Sequence, residues 1–119
     1  ESADDSIVLS TVYNVLGNTY KEVGNFPMAH KYLRKSLLIR SVFNQKESEC
    51  WNNIGNVYMR EEKVDSAQIA YLNAIAMSES PSANAVENYG ATLHLQGRIK
   101  EARTQYLIAL KKGKRTMTS

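Results

Sequence analysis

Three glycines, Gly17, Gly55 and Gly90, hold the same place in three segments that follow one pattern. The same offsets around each glycine carry large apolar or small residues, and the three units align without a gap. The aligned positions lie four before, one before, three after, twelve after and sixteen after each glycine. They hold Tyr13, Leu16, Tyr20, Ala29 and Leu33 in the first unit, Trp51, Ile54, Tyr58, Ala67 and Tyr71 in the second, and Val86, Tyr89, Leu93, Ala102 and Tyr106 in the third. Because residues three and four apart share a helix face, this pattern predicts helices that bury one face.

The recurrence of glycine inside a predicted helix needs a packing reason, because glycine costs about 1 kcal/mol there relative to alanine. We expect a second helix to approach each glycine closely, at an interaxial distance of about 8–10 Å. The alanine twelve residues later, Ala29, Ala67 or Ala102, offers a second small surface. Each unit is therefore predicted to be a helix A, a tight turn and a helix B.

The motif W-x-x-I-G-x-x-Y followed by A-x-x-x-Y, between Trp51 and Tyr71, resembles the tetratricopeptide repeat. The resemblance covers about residues 10–112. It implies an all-α fold, a right-handed α–α superhelix (solenoid) of three helix-turn-helix units with six helices. The predicted division is 1–9 as an N-terminal extension or the start of the first helix, 10–47, 48–82 and 83–113 as the three units, and 114–119 as a frayed basic tail.

Turn residues set the expected helix ends. Gly24 is predicted to adopt the left-handed conformation that ends a helix, and Asn25 to cap the next one. Glu62 replaces the turn glycine of the second unit, so it either takes a costly positive φ or the turn has another geometry. Ser80-Pro81 predicts the cap and first turn of the fifth helix. Gly113 predicts the end of the sixth helix, after Lys112.

The spacing of the glycines is uneven, with 38 residues in the first interval and 35 in the second. The extra residues fall at about 43–47. We expect these residues to lengthen helix B of the first unit (helix 1B) or helix A of the second (helix 2A), or to form a longer loop between them. The first helix is predicted to begin at about Ser6 or Ser10.

The resemblance implies that the A helices line a concave groove and that defined offsets from each glycine face it. The predicted peptide-binding residues are Asn14, Asn18, Lys21, Glu49, Asn52, Asn53, Asn56, Met59, Asn84, Glu87, Asn88 and His94. Asparagine dominates this set, and its amide can both donate to and accept from the backbone of an extended peptide. The alternative is that these asparagines are neutral polar residues, some of which hydrogen-bond between helices.

Relatives that clamp the acidic C-terminus of a chaperone need basic residues at three groove positions, which here are Asn14, Asn84 and Asn88. Without cations, the bound carboxylates would be desolvated and unpaired. Glu49 and Glu87 also disfavour an acidic ligand. The predicted partner is therefore a protein or peptide that is neutral or basic, and not an acidic chaperone tail.

The positive charge is concentrated at one end, since residues 98–119 hold seven of the 15 Lys and Arg but one of the 12 Asp and Glu. These cations can form a phosphate-facing or membrane-facing patch. Alternatively, they lie on a solvent-exposed last helix, where they interact favourably with the negative C-terminal end of the helix dipole. We favour the second interpretation. No aromatic residues are interleaved with the cations, so the sequence disfavours binding of nucleic acid.

Leu107 and Ile108 are apolar where the first unit has Arg34 and Lys35, on a predicted solvent-facing side of helix 3B. End repeats normally present a polar face. These two residues therefore mark a possible edge interface with another repeat or with a second copy of the chain. This leaves an alternative function, a structural or oligomerisation segment of a longer solenoid or signalling protein that contacts partners through its edges.

No pattern supports catalysis, a metal or a cofactor. His30 and His94 lie on different predicted helices without a metal-binding motif, and neither a phosphate-binding loop nor a nucleophile motif occurs. Cys50 is the only cysteine, which excludes an internal disulfide and favours a reducing compartment such as the cytoplasm. No apolar run approaches the length of about 20 residues that a membrane span needs. The sequence predicts a non-enzymatic scaffold for protein–protein interaction.

Overall fold

Six α-helices and no strand make up residues 2–118, the part of the chain that the computed structural model describes, with side chains described through residue 113. The helices are α1 (Ala3–Glu22), α2 (Phe26–Val42), α3 (Ser48–Arg60), α4 (Val64–Ala76), α5 (Ala83–Leu95) and α6 (Ile99–Thr118). The predicted all-α class with six helices is confirmed. The predicted A and B helices correspond to α1, α3 and α5 and to α2, α4 and α6.

The helices stack in chain order. The closest packing is within the pairs α1–α2, α3–α4 and α5–α6, and each pair then packs on the next through α2–α3 and α4–α5. The stack measures 48 × 35 × 21 Å. A core cluster joins the first two units, with Ala29, Leu33, Ile54, Val57 and Ala70 at its centre. This sequential packing is the geometry expected of a solenoid, in which each unit contacts its neighbours.

The three glycines do mark close helix contacts. A Cβ added to Gly17 would lie 2.5 Å from Leu33 Cγ, and one added to Gly55 would lie 2.5 Å from the ring of Tyr71. At Gly90 the nearest atom is Tyr106 Cε1 at 3.0 Å. The side chain sixteen residues later therefore fills the space that each glycine leaves. The alanines twelve residues later are buried, but the nearest alanine atom is the carbonyl oxygen of Ala29, 3.2 Å from the Gly17 position.

The turns between paired helices follow the predicted chemistry. Gly24 and Gly97 have φ angles of 82° and 79°, and the side chain of Asn25 accepts a hydrogen bond from the Met28 amide. Glu62 keeps a positive φ of 62°, so the second unit uses the same turn despite the steric cost to an L-residue. Asn44, which the sequence did not single out, also has a positive φ, 52°.

Three predicted helix ends were wrong, namely the start of α5, the end of α6 and the start of α1. Ser82, and not Ser80, caps α5, because its backbone is extended and its hydroxyl accepts a 3.1 Å hydrogen bond from the Ala85 amide. Helix α6 continues through Gly113 to Thr118, so residues 114–118, predicted as a frayed tail, are helical in their backbone. Gly113 lacks a positive φ, and a glycine with helical φ only weakens a helix.

Helix α1 begins at Ala3, earlier than predicted, with Ser2 as its cap. The segment of residues 1–9 is therefore the start of the first helix from Ala3 onward. The extra residues of the first unit lengthen α2, which has 17 residues against 13 in α4. The loop that follows α2 spans residues 43–47. Of the expected structures, the chain therefore has the lengthened helix 1B, which is α2.

Candidate functional site

Two depressions lie along the faces of α3 and α5 that carry predicted groove residues. The first depression has a volume of about 390 Å³ and is lined by Lys21, Glu22, Asn56, Met59, Arg60, Tyr71, Asn88 and Ala91. The second depression has a volume of about 640 Å³, and its lining includes Glu49, Asn52, Met77, Glu79 and Asn84. The first lies toward the C-terminal ends of α3 and α5, and the second toward their N-terminal ends. Together they follow the length of both helices.

Asparagine pairs join successive units, and we call them the asparagine rungs. Asn53 Nδ2 donates a 3.0 Å hydrogen bond to Asn14 Oδ1, and Asn88 Nδ2 donates a 3.1 Å hydrogen bond to Asn52 Oδ1. In both cases the residue two before a glycine donates to the residue three before the preceding glycine. This repeated register agrees with the alternative interpretation, that some of these asparagines hydrogen-bond between helices.

Asn14 is built into the structure. Its side chain is 6% exposed, and its Nδ2 also donates to Glu49 Oε1 at 2.5 Å. A ligand therefore has little access to it. Asn18 is similarly withdrawn, because its Oδ1 is buried and has no hydrogen-bond partner in the described chain. The aligned Asn56 accepts from the hydroxyl of Tyr71, but the first unit has Leu33 at that position and so has no donor.

The asparagines that line the depressions keep unused hydrogen-bonding capacity. Asn52 and Asn56 each accept one hydrogen bond through Oδ1, whereas within residues 2–113 the Nδ2 group of neither donates one. Asn88 uses Nδ2 in its rung, and its Oδ1 makes no hydrogen bond within the same range. Two amide donors and one acceptor therefore remain at the floor of the two depressions.

Besides Asn14 and Asn18, three predicted groove residues line neither depression, namely Asn53, Glu87 and His94. Glu87 and His94 are exposed. The ring of His94 stands with its centroid 6.5 Å from that of Tyr106, edge-on. His94 therefore contacts the paired helix α6.

A second set of side-chain contacts joins the units on the side away from the depressions, and we call these the outer rungs. His30 Nε2 donates to Glu61 Oε1 at 2.7 Å, and Gln68 and Gln96 exchange two hydrogen bonds of 3.0 Å. Each outer rung joins the residue thirteen after one glycine to the residue six after the next. The side chain of His30 is only 18% exposed.

The hydrogen bond of the first outer rung affects the acidity of Glu61. Burial alone would raise the pKa of this carboxyl, but hydrogen bonds from His30 and Lys63 outweigh burial and hold the pKa below its ordinary value. Glu61 is therefore held in its charged form by the contact between the units. This is an electrostatic contribution to the junction between α2 and α3.

Arg40 is a buried residue that sequence reasoning missed. Its guanidinium donates to Ser10 Oγ at 3.2 Å and to the carbonyl oxygen of Lys46 at 3.2 Å, and it lies 3.4 Å from Glu49 Oε1. It therefore ties the loop after α2 to α1 and α3. The available signal was its spacing, because Arg40 lies four residues after the buried Ser36 and continues that helix face.

The single cysteine belongs to this buried polar region. Ser36 Oγ lies 3.3 Å from Cys50 Sγ and donates a 2.7 Å hydrogen bond to the carbonyl oxygen of Ser10. Burial raises the pKa of the Cys50 thiol. A protonated, buried thiol is a poor nucleophile, so the position of Cys50 suits packing.

The edge residues Leu107 and Ile108 are exposed on α6, as predicted. Together with Thr104, Leu110 and Lys111 they line a depression of about 440 Å³. Within the described residues, no cluster of His, Cys, Asp and Glu is arranged to hold a metal ion. In the same part of the chain, no helix has the length and apolar character needed to cross a membrane.

Comparison with known proteins identifies the repeat. Family models described as tetratricopeptide repeat match residues 9–45 and 48–81. No curated protein matches the chain. Among solved structures, the chain is similar to BtubC (BKLC) from P. vanneervenii, with a TM-score of 0.81 and 21% sequence identity over 92% of this chain and 48% of that chain. The match thus spans about half of that protein, and at this identity it concerns the fold alone.

Proposed function

Because the chain belongs to the tetratricopeptide repeat family, whose members are generally non-enzymatic modules for protein–protein interaction, we propose that it binds an extended segment of a partner protein along the two depressions. The residues proposed to contact that segment are those that line the depressions and were predicted from the sequence. They are Lys21, Glu49, Asn52, Asn56, Met59, Asn84 and Asn88.

The observation that carries the proposal is the pair of unused amide donors on α3. Asn52 and Asn56 are one helical turn apart, which places them about 6 Å apart along the axis. Backbone carbonyl groups that point the same way in an extended peptide recur every second residue, about 6.6 Å. The two amides therefore match alternate carbonyls of a segment that runs along α3, whatever its side chains are.

The charges around the depressions favour a neutral or basic segment. In the first depression, Lys21 and Arg60 both lie near Glu22, at 3.5 and 3.9 Å, so these cations already face a carboxylate. The second depression is lined by one cation, Lys46, and two carboxylates, Glu49 and Glu79. Glu79 makes no ion pair within the described residues, and a basic side chain of the partner would pair with it. An acidic tail would instead be repelled by the carboxylate of Glu79.

The test uses substitutions that remove the donors but keep the internal hydrogen bonds. In Asn52→Asp and Asn56→Asp, one carboxylate oxygen still accepts from Asn88 or Tyr71, while the amide donor is lost. Peptides would first be selected on the wild-type chain from a display library of unstructured segments. We expect the double variant to weaken the binding of uncharged peptides by about tenfold or more, since these have no cation that would pair with the added carboxylates. Asn73→Asp adds the same charge as each single variant, on α4 outside the depressions, and should bind as wild type.

Three outcomes would contradict the proposal. One is a library that yields no binder. Another is a selected peptide whose affinity is the same for the double variant and for Asn73→Asp. The third is a peptide whose NMR shift changes map to Leu107 and Ile108, which would favour the alternative function of contact through an edge.

A further inference from the structure

The two junctions between units are built by the same four positions. At the first junction Asn53 donates to Asn14 and His30 donates to Glu61. At the second, Asn88 donates to Asn52 and Gln68 exchanges hydrogen bonds with Gln96. In each junction the incoming A helix contributes two polar residues that are eight positions apart. The preceding unit contributes the residue three before its glycine and the residue thirteen after it.

The C-terminal edge presents these positions without an incoming helix. The residue three before Gly90 is Glu87, and the residue thirteen after it is Arg103. Both are exposed, and neither makes a hydrogen bond or ion pair within the part of the chain that the structure describes. An apolar residue also lies twenty positions after each glycine. It is half-buried in the first two units, as Leu37 and Ile75, but in the third unit Leu110 is 55% exposed.

We propose that this C-terminal edge binds a partner helix that carries a hydrogen-bond donor and, eight residues later, a carboxylate, with apolar residues on the same face. The donor pairs with the carboxylate of Glu87, and the carboxylate of the partner pairs with Arg103. The apolar residues cover Leu110 and the neighbouring depression, which Leu107 and Ile108 line. This interaction is independent of the proposed peptide groove.

Helix α3 is an example of the chemistry required. It has Asn53 as the donor and Glu61, eight residues later, as the carboxylate. At the existing junction Glu61 already pairs with His30, a potential cation at the position equivalent to Arg103. The partner helix therefore resembles an A helix of the second unit in its polar pattern.

A second copy stacked head to tail does not supply this pattern. The equivalent positions of α1 are Val15 and Val23, which are 59% and 73% exposed. Stacking α1 on the C-terminal edge would match some apolar surface, but it would place valines against Glu87 and Arg103. Desolvating a carboxylate and a guanidinium without partners is strongly unfavourable.

The probe is a synthetic peptide with the sequence of residues 48–62, held helical by a side-chain staple on its solvent face. A stapled peptide of residues 10–24, with Val15 and Val23, is the control. The complete chain, labelled for NMR, is titrated with each. We expect the first peptide to shift the signals of Glu87, Arg103 and Leu110, and the control to bind much more weakly.

A charge exchange tests the register. Arg103→Glu in the chain should weaken the first peptide by about fivefold or more, and Glu61→Arg in the peptide should then restore its affinity. Equal binding of both peptides, no shift at millimolar peptide, or an affinity unchanged by Arg103→Glu would overturn the proposal. So would concentration-dependent sedimentation of the chain alone that Leu110→Glu abolishes, because that result would assign the edge to a second copy.

Discussion

The hydroxyl of Tyr71 donates a 2.7 Å hydrogen bond to Oδ1 of Asn56, while the ring of Tyr71 fills the space left by the neighbouring Gly55. One buried side chain therefore closes the helix pair and also orients an amide that lines the first depression. Burial raises the pKa of Tyr71, so its hydroxyl stays protonated and remains a donor at physiological pH. The packing pattern of the repeat thus holds part of the candidate site in place.

Gly55→Ala should destabilise the chain by about 1–3 kcal/mol, because its Cβ would lie 2.5 Å from the ring of a Tyr71 that is buried and cannot move aside. The loss of packing exceeds the gain in helix propensity from replacing glycine. Urea denaturation followed by circular dichroism measures the difference. Gly113→Ala is the matched control, since apart from its own helix backbone nothing in the described part of the chain lies within 4 Å of its Cβ position, and it should stabilise the chain by up to about 1 kcal/mol. Equal effects at both glycines would contradict this account.

Asn14→Ala should cost about 1–2 kcal/mol, because the half-buried Asn53 loses its hydrogen-bond partner. Glu49 also loses a donor, but its side chain is 60% exposed and keeps its contact with Arg40. Asn18→Ala, one turn later on the same helix, is the comparison. It removes a buried oxygen that has no partner among the described residues, and it improves helix propensity. We expect Asn18→Ala to be neutral or to stabilise by up to about 1 kcal/mol, as measured by chemical denaturation. A loss at Asn18 as large as that at Asn14 would argue against the assignment.

Glu62→Gly should raise the free energy of unfolding by up to about 1 kcal/mol. The positive φ of Glu62 costs an L-residue about 1–2 kcal/mol, and the added freedom of glycine in the unfolded chain cancels part of that gain. Asn44→Gly provides the contrast, because asparagine tolerates the left-handed region and gains little from the change. Thermal unfolding of both variants measures the two effects. A larger stabilisation by Asn44→Gly than by Glu62→Gly would contradict this prediction.

The repeat and its helix pairs could be predicted from the sequence because their cause is local and steric. Glycine at a fixed offset from a bulky residue, such as Gly55 and Tyr71, leaves few other ways to pack. Helix ends were less predictable, since Ser80 and Ser82 both offer a capping hydroxyl beside Pro81. Gly113 ends no helix, because glycine permits a left-handed turn without imposing one.

The candidate site was predictable only in part, for a different physical reason. Offsets from the glycines locate residues such as Met59 and Asn56, which do line the first depression. Whether an asparagine is available to a ligand depends on the register between units, and the sequence of one unit does not contain that register. This is why the hydrogen-bond partners of Asn14, and the burial of Arg40, emerged from the structure.

The pair of His30 and Glu61 should make stability depend on pH in the acid range. Because hydrogen bonds hold the folded pKa of Glu61 below its ordinary value of about 4.5, this carboxylate stabilises the fold fully above that pH. The contribution is lost as the pH falls through the lowered pKa, where protonation of Glu61 removes the ion pair.

Comparison with Glu61→Gln isolates this effect from the other carboxyl groups. The wild-type chain should be the more stable of the two at pH 6, and the difference should shrink as the pH is lowered below about 4.5. Urea denaturation at a series of pH values measures it. His30→Gln should reduce the same difference, because it removes the strongest hydrogen bond that lowers the pKa of Glu61. A difference between wild type and Glu61→Gln that stays constant from neutral to acid pH would show that the carboxylate gains nothing from the junction.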